Sequence, residues 1–329
     1  MNPRVWAQAL NTMPKLTPDE WGELDLVARW LIATRASVLF MTFMSAALGG
    51  LLAAADGVFD WTIWSICCLG LVFAHATNNL LNDYTDSRRG IDKDNYYRNQ
   101  YGVHVLEDGL LTPGGFWRYV GFTGGVAVAL GLWLVWTRSG LTLDLMLAGA
   151  FFVLFYTWPL KYYGLGEPAV LLVWGPLMVG GTYYVMAGSW SWDVTWLSLL
   201  YALGPTSVLF GKHIDKSALD SAKSVRTLPV ILGEAQARNW VVVMLALQYL
   251  GCAALVVTGA AHWLLLAVLL NLPAYRRLVT SFQSAKPDAR PESFPEAVWP
   301  LWFSAFAFDH TRKFTSLFVL ALLVGQILG

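Results

Sequence analysis

The sequence predicts an all-α, polytopic membrane protein with about nine transmembrane helices around a central cavity. Hydrophobic residues make up 56% of the 329 residues, and charged residues only 13%. A soluble globular domain carries about 25% charged residues, so this chain has roughly half the usual charge. The mean hydropathy is +0.50, and the apolar residues are concentrated in long runs. The formal net charge is zero, which gives no reason to expect nucleic acid as a partner.

The individual helices follow from these runs, because a helix needs about 20 mainly apolar residues to cross a membrane. The stretches predicted to cross are 33–55, 62–81, 117–137, 143–159, 167–188, 193–211, 239–258, 261–275 and 314–328. Residues 297–308 are predicted to form a re-entrant or interfacial piece. Residues 1–30 are mixed polar and predict an amphipathic N-terminal segment on the membrane surface. We expect residues 1–329 to form a single transmembrane domain that includes this segment.

The positions of the basic residues predict the orientation of the helices. With the N-terminus in the cytoplasm and each span reversing direction, 21 of the 22 Lys and Arg residues fall in cytoplasmic segments, and only Arg138 does not. Cytoplasmic loops of membrane proteins carry such an excess of positive charge. We therefore expect an integral, multi-pass protein of the cytoplasmic membrane, with its N-terminus and both of its aspartate-rich loops on the cytoplasmic side.

The first aspartate-rich loop continues the second span as LLNDYTDSRRGIDKD, residues 80–94. Asn82, Asp83 and Asp86 are spaced i, i+1 and i+4. A helix that continues to position 87 therefore places Asn82 and Asp86 on one face, with Asp83 beside them. Gly90 then ends the helix and lets Asp92 fold back toward the same point. The loop gathers carboxylates at the end of an apolar helix.

The second loop, FGKHIDKSALDSAKSVRTLPVILG, covers residues 210–233 and offers Asp215 and Asp220, with His213 near. Close carboxylates repel one another, and a hard cation relieves that repulsion; oxygen ligands suit Mg²⁺. Mg²⁺ keeps substrate phosphates among its ligands, and basic residues between the acids can hold the other phosphate oxygens. Two such loops on one face predict a magnesium diphosphate site, whereas the alternative is that both loops are merely solvated.

A diphosphate bound at the entry of an apolar bundle indicates a lipid diphosphate, because the membrane can supply its tail directly. With an allylic tail, metal ions that stabilise the leaving diphosphate would let the chain ionise to a carbocation. Aromatic residues make up 14% of the sequence, and their ring faces attract cations. The sequence therefore favours an enzyme that acts on a prenyl diphosphate.

Four stretches carry a family resemblance: NDYTDSRRGID (82–92), EDGLLTPGGFWRY (107–119), YTWPLKYYGLGEPAVLLVWGPLMVGG (156–181) and DKSALDSAKSVRTLPVILG (215–233). The first and last resemble the two aspartate-rich motifs of the UbiA superfamily of intramembrane prenyltransferases. The third is similar to the branch that prenylates 1,4-dihydroxy-2-naphthoate for menaquinone. The resemblance implies Mg²⁺-dependent transfer of an isoprenyl chain from a prenyl diphosphate to an aromatic, quinone-precursor-like acceptor within the membrane. We call residues 82–92 the first motif and residues 215–233 the second motif.

The resemblance also implies roles for particular residues. The residues expected to hold metal ions are Asn82, Asp83, Asp86 and Asp92 in the first motif and Asp215 and Asp220 in the second. Of these, the residues expected to be catalytic are Asp86, Asp92, Asp215 and Asp220. The residues expected to bind the diphosphate are Lys161, Tyr156, Arg88 and Lys212.

The second motif departs from the family pattern in its spacing. The family separates its two aspartates by four positions, whereas Asp215 and Asp220 are five apart. Counting back from Thr227 places Asp220 where the family has it and shifts Asp215 by one residue. Either a local bulge accommodates the extra residue, or another group such as His213 replaces a ligand.

The sequence leaves three other functions open. A terpene cyclase of the same superfamily would need no acceptor. A membrane transporter usually has its charged or broken-helix site near the bilayer midplane, whereas the charges here lie at helix ends. A non-catalytic lipid-binding protein is compatible with the unusual spacing of the second motif.

Overall fold

The computed structural model describes residues 2–91 and 102–328. Asp92, a predicted metal ligand, lies outside these ranges. The short helices are α1 (Pro3–Asn11), α2 (Pro18–Glu23), α3 (Leu26–Ala33), α10 (Ser217–Ala222) and α11 (Leu228–Leu232). The helices that are long and apolar enough to cross a membrane are α4 (Ala36–Ala55), α5 (Trp61–Arg88), α6 (Pro113–Arg138), α7 (Thr142–Tyr163), α8 (Gly166–Ala187), α9 (Trp192–Asp215), α12 (Glu234–Val257), α13 (Trp263–Gln283) and α14 (Trp302–Leu328).

These nine helices, counted over the described ranges, confirm the predicted all-α membrane architecture. The first seven agree with the predicted spans to within a few residues, apart from longer polar ends. The last helix differs more, because α14 begins at Trp302 rather than near position 314. Residues 302–308 are therefore its first turns and not a separate re-entrant piece. The predicted span begins too late because the polar run DHTRK, residues 309–313, lies inside α14, where His310 and Thr311 are buried in the bundle.

The end of α5 has the geometry that the sequence predicts. Gly90 has a φ of 70°, in the left-handed region that favours glycine. The backbone N–H of Ile91 donates to the carbonyl of Asp86 at 2.8 Å, and that of Gly90 donates to the carbonyl of Ser87 at 2.9 Å. This pair of bonds is the Schellman motif that closes many helices. The helix therefore continues through Asn82, Asp83 and Asp86 and ends at Arg88.

Prolines bend α7 and α8 where these helices line the cavity. Trp158, which precedes Pro159, has φ −138° and ψ 128°. Gly175, which precedes Pro176, has φ −91° and ψ −106°. A residue before proline is disfavoured in the helical region, and proline removes a backbone donor, so both helices break their regular path at these points. The segment that follows the first break carries Lys161, whose side chain reaches the cavity.

The N-terminal helices pack on the remainder of the protein and bury Trp21. Asp25 caps α3 by accepting the Ala28 backbone N–H at 2.9 Å, and it also accepts the Trp6 indole N–H at 3.0 Å. The Ala28 bond is the main reason that the pKa of the Asp25 carboxyl is lowered to about 2. Residues 8 and 11–15 line the central cavity. The position of this segment on a membrane surface, and the division of the chain into one domain, stay predictions.

Candidate active site

A central cavity of about 1600 Å³ runs along α5 from Cys67 to Asp86. At 1.5 Å per helical residue, this stretch measures roughly 28 Å. The α5 side chains on the cavity wall are small or apolar around Gly70 and Leu71 and become polar from His75 onward. The cavity therefore has a long apolar part and one polar end.

The first motif supplies two of its side chains to the polar end. Asn82 and Asp86 both line the cavity, one helical turn apart, as predicted. The amide nitrogen of Asn82 donates to Thr157 Oγ1 at 3.0 Å, which fixes the direction of the Asn82 side chain. Asp86 is buried, so its carboxylate needs a partner of opposite charge.

Lys161 is that partner. Its ammonium donates to Asp86 Oδ2 at 2.6 Å and to Oδ1 at 2.8 Å. Tyr162 donates to the same carboxylate at 3.4 Å. Lys161 and Tyr156, both predicted to bind diphosphate, line the cavity beside Asp86. The structure thus brings together residues that are 75 positions apart in the chain.

Asp83 takes a different direction from its neighbours. It is 1% exposed and forms an ion pair with Arg35, while His104 Nε2 lies 3.9 Å from Asp83 Oδ1. Arg35 also donates to Asn82 Oδ1 at 3.4 Å. Arg35 lines the cavity, whereas Asp83 is not among the lining residues. Asp83 therefore faces Arg35 and not the cavity wall, a position that lends no support to its predicted contact with a metal.

Arg35 is a cavity residue that the sequence reasoning missed. It joins α3 to α4 with a φ of 56°, an unusual backbone angle for a residue with a side chain. A sequence signal exists, because Arg35 is a charged residue at the start of an otherwise apolar span.

The end of α9 places Asp215 against the last helix instead of the cavity. Asp215 Oδ1 accepts the backbone N–H groups of Trp302 and Phe303 at 3.1 Å each, and Oδ2 accepts that of Ser304 at 3.0 Å. Lys286 Nζ lies 3.4 Å from Oδ1. These are the orphan donors at the start of α14, so Asp215 is its N-terminal cap. The predicted metal-binding role of Asp215 has no support in this geometry.

Gly211 explains why Asp215 faces α14. It lies one helical turn before Asp215 on the same face. A Cβ atom at position 211 would come within 2.7 Å of the Ser304 nitrogen and 2.8 Å of the Phe303 carbonyl carbon. Only glycine therefore allows the two backbones to approach closely enough for the Asp215 carboxylate to reach three N–H groups.

The adjacent face of α9 points into the cavity. Lys212 lines the cavity, as predicted for a phosphate contact, and so do His213, Lys216 and the predicted metal ligand Asp220. Lys216 Nζ lies 3.7 Å from Asp220 Oδ1. The carboxylate that the second motif presents to the cavity is therefore Asp220, four residues after a lysine.

His213 forms a buried pair with Glu167 at the beginning of α8. Their Nδ1 and Oε1 atoms are 2.6 Å apart, and both residues are buried. His213 also lines the cavity. The carboxylate of Glu167 therefore fixes the orientation of the imidazole ring at the cavity wall.

The two motifs touch through Lys223. Its ammonium donates to the backbone carbonyl of Ile91 at 2.6 Å and to that of Gly90 at 3.2 Å. The two loops, predicted from charge to lie on one face, therefore meet at the same end of the bundle.

Arg88 is exposed and is not among the residues that line the cavity. Its neighbour Arg89 lies over the rings of Trp158 and Tyr162, at 4.8 Å and 5.0 Å. These contacts are cation–π interactions that hold α5 to α7. The predicted phosphate contact of Arg88 is thus not supported by its position.

On α5, His75 lies at the boundary between the apolar part of the cavity and its polar end. His75 Nδ1 is 2.7 Å from Thr42 Oγ1, and the Trp174 indole N–H donates to the same hydroxyl at 3.4 Å. The His75 and Trp174 rings meet edge to face, with 5.9 Å between their centroids. This arrangement presents aromatic surface to the cavity without an exposed charge.

The donor atoms fit one Mg²⁺ better than two. Asn82 and Asp86 offer amide and carboxylate oxygens to the cavity one turn apart, which is a ligand set that Mg²⁺ accepts when water and anionic ligands complete its shell. On the second motif, Asp220 stands beside Lys216. Among the described residues, which exclude Asp92, no three His, Cys, Asp or Glu side chains form a preformed metal cluster.

Comparison with known proteins identifies relatives that match most of the chain. The model of the UbiA prenyltransferase family matches residues 43–306. The chain is 26% identical to the 2-carboxy-1,4-naphthoquinone phytyltransferase of Synechocystis sp. over 252 residues, which cover 74% of this chain and 79% of that protein. It is 28% identical to the 1,4-dihydroxy-2-naphthoate octaprenyltransferase of Escherichia coli over 227 residues, which cover 66% of this chain and 73% of that protein.

The fold is also shared with solved structures. A UbiA homolog from Archaeoglobus fulgidus, bound to GPP and Mg²⁺, has a TM-score of 0.59 at 13% identity, covering 90% of this chain and 99% of that one. A structure of digeranylgeranylglyceryl phosphate synthase has a TM-score of 0.58 at 16% identity, covering 91% and 98%. The family resemblance drawn from four motifs is confirmed. Because the family model matches most of its length, the chain belongs to the UbiA prenyltransferase family.

Proposed function

We propose that this protein transfers an isoprenyl chain from a prenyl diphosphate to an aromatic acceptor of the quinone-precursor class, and that the reaction requires Mg²⁺. The observation that carries this proposal is the polarity of the cavity, whose one polar end adjoins a long apolar part. A diphosphate fits the polar end, and its hydrocarbon tail fits the apolar part. Two of the relatives are named for naphthoquinone or dihydroxynaphthoate substrates, which supports an acceptor of that class.

The polar end would bind the diphosphate through a metal and through fixed cations. Asn82 and Asp86 are the described residues that would hold Mg²⁺, which neutralises the diphosphate so that it can leave the allylic carbon. Lys161 and Lys212 line the same end and would donate to phosphate oxygens. Because Asp86 and Lys161 are already paired at 2.6 Å, the anion would be bound next to an ordered lysine rather than a flexible one.

The apolar part would protect the reactive chain. Side chains such as Leu71, Val128 and Met146 line it, and they exclude water that would otherwise quench an allylic cation. The edge-to-face rings of His75 and Trp174 face the same space. An aromatic ring can stabilise a positive charge through its π face. His213, oriented by Glu167, stands at the wall where it can take up the proton that the acceptor releases.

We propose further that both motifs face the cytoplasm. The distribution of Lys and Arg residues supports this orientation, and the Lys223 contact between the motifs requires that they share one side. In this orientation, the water-soluble diphosphate group would have direct access to the site from the cytoplasm. Labelling of single cysteines introduced at exposed positions 88 and 234, in sealed right-side-out and inverted vesicles, tests it. Labelling of both positions from outside in right-side-out vesicles would contradict this proposal.

The reaction is tested with the purified protein in lipid nanodiscs. Radiolabelled prenyl diphosphates of several lengths are incubated with Mg²⁺ and with 1,4-dihydroxy-2-naphthoate or another aromatic acceptor, and the products are separated. The proposal predicts a labelled product that requires the acceptor, disappears with EDTA and disappears in Asp86→Ala. Glu234→Gln is the matched control, because Glu234 is a half-exposed carboxylate on α12 outside the cavity, and it is expected to behave as the wild type.

Three outcomes would replace the proposal with another function. A labelled hydrocarbon formed without any acceptor would indicate a terpene cyclase. Saturable binding of the diphosphate without any product would indicate a lipid-binding protein. Uptake of label into sealed vesicles, without chemical change, would indicate a transporter. Product that persists unchanged with EDTA and in Asp86→Ala would remove the metal from the mechanism.

A further inference from the structure

The wall of the cavity carries more basic side chains than acidic ones. Among the described residues, the basic side chains on the cavity wall are Lys15, Arg35, Lys161, Lys212, Lys216 and Arg312, and the acidic ones are Asp86, Asp220, Glu296 and Asp309. Basic groups therefore exceed acidic groups before any metal is bound. The lysines at positions 212 and 216 are one helical turn apart, so both project from the same side of the chain at the end of α9.

Asp215 is not available to compensate for these lysines. Its two oxygens accept three backbone N–H groups at the start of α14, at 3.0–3.1 Å. Turning the carboxylate toward the cavity would break all three bonds and leave the donors buried and unsatisfied. The close approach at Gly211 fixes this orientation. The second motif is therefore left with one cavity carboxylate, Asp220.

Lys216 stands four residues before Asp220, with its ammonium 3.7 Å from Oδ1. Both side chains are largely buried, at 12% and 5% exposure, and both line the cavity. Position 216 is where the family resemblance would place the first aspartate of the second motif, four residues before Asp220. The first motif also pairs its carboxylate with a lysine, but it adds the amide oxygen of Asn82 on the cavity wall. The second motif offers a divalent ion only the Asp220 carboxylate, because the position one turn before it holds a lysine instead of an oxygen ligand.

We propose that Lys216 takes the place of a second metal ion, so that one Mg²⁺ at the first motif and the Lys216 ammonium at the second motif grip the diphosphate together. This inference rests on the proposed function, since it concerns the same diphosphate. An ammonium supplies three donors and a positive charge. Asp220 is its neighbouring carboxylate, at 3.7 Å, as Asp86 is for Lys161 at 2.6 Å. The site therefore binds one divalent ion per chain.

The inference is tested by counting bound ions. Mn²⁺ is titrated into the purified full chain in the presence of an unreactive prenyl thiolodiphosphate, and free Mn²⁺ is measured by electron paramagnetic resonance. The wild type is expected to bind one Mn²⁺ per chain with the analogue. Lys216→Asp, which creates a carboxylate four residues before Asp220, is expected to bind two. Lys216→Met is expected to keep one Mn²⁺ and to bind the analogue about 10- to 100-fold more weakly, as expected when a charged hydrogen bond is lost.

Arg238→Asp is the matched control. Arg238 also lies four residues from a carboxylate, 3.7 Å from Glu234, but outside the cavity. It is expected to keep one Mn²⁺, so a second ion in Lys216→Asp reflects the site and not the added charge. Two Mn²⁺ in the wild type would overturn the inference while leaving the proposed function intact. One Mn²⁺ in a folded Lys216→Asp would also overturn it. No binding of the analogue to the wild type would overturn both proposals.

Discussion

The ends of α5 and α9 present side chains to the cavity at the same four-residue spacing, but those of α5 are an amide and an acid whereas those of α9 are two bases. Positions 82 and 86 on α5 carry Asn and Asp, whereas positions 212 and 216 at the end of α9 carry two lysines. Both loops are rich in aspartate, but in the second loop Asp215 lies on the face that contacts α14. The face on which an acid lies therefore decides its role, and the acidity of the loop as a whole does not.

The largest expected effect separates the carboxylates of the two motifs. Asp86→Ala is expected to lower kcat/KM by roughly 10²–10³-fold, because it removes a ligand from the metal that stabilises the leaving group. Asp220→Ala is expected to cost only about tenfold, since it removes the partner of a lysine that still carries its charge. Steady-state kinetics with a radiolabelled prenyl diphosphate measures both. Equal losses would mean that the motifs have equal roles and that the comparison is wrong.

A second prediction concerns the close contact between α9 and α14 at Gly211, which directs Asp215 toward α14 and not toward the cavity. Gly211→Ala places a Cβ 2.7 Å from a backbone nitrogen of α14, so the helices must separate. Such overpacking costs about 1–3 kcal/mol. A thermal unfolding scan in detergent is expected to show a Tm several degrees lower. Gly121→Ala is the control, because its Cβ would meet open space. An unchanged Tm in Gly211→Ala would show that α9 and α14 are not locked by this contact.

Asp215→Ala is expected to affect stability more than chemistry. Loss of a helix cap costs about 0.5–2 kcal/mol, and the Lys286 partner is lost as well. Asp215→Asn retains an oxygen acceptor and is expected to lose less, since Asn is also a good cap. Tm and Mn²⁺ stoichiometry are measured on both variants. If either variant loses a bound ion while its Tm is unchanged, Asp215 is a metal ligand after all.

The smallest expected effect concerns the contact between the motifs. Lys223→Met removes the bonds to the carbonyls of Gly90 and Ile91. Because the lysine is partly exposed, removing these bonds is expected to weaken binding of the prenyl diphosphate by about 0.5–1 kcal/mol. This corresponds to a roughly two- to fivefold rise in its KM. Lys313→Met, which removes an exposed lysine from its ion pair with Asp309, is the control. A KM equal to that of the wild type would show that the two loops act independently.

The sequence was sufficient for the architecture and for most of the first motif. Long apolar runs predict the spans because crossing a membrane is a local property of length and hydropathy. The position of Asn82 and Asp86 on one face of the helix follows from their spacing alone, and Gly90 marks the end of the helix. Lys161 was predicted from family resemblance, and the structure places it beside Asp86.

The parts that could not be predicted depend on neighbours distant in the chain. The direction of Asp215 is set by the start of α14, 87 residues later. The role of Asp83 depends on Arg35, which lies in a different span of the sequence. The sequence does not predict the early start of α14, because the polar run 309–313 has the hydropathy of a loop although it lies inside the helix. In each case the spacing of residues is informative only once the packing partner is known.

The cap on α14 has a consequence for the order in which the protein is made. The ribosome completes α9 before it adds the 87 residues that lead to Trp302, and protein regions fold progressively from the N-terminus during synthesis. Until then the Asp215 carboxylate has none of its three backbone donors, and a charge without partners is costly to bury. The part of the cavity wall that carries Lys212 and Lys216 can therefore reach its final arrangement only after the last membrane helix has been synthesised.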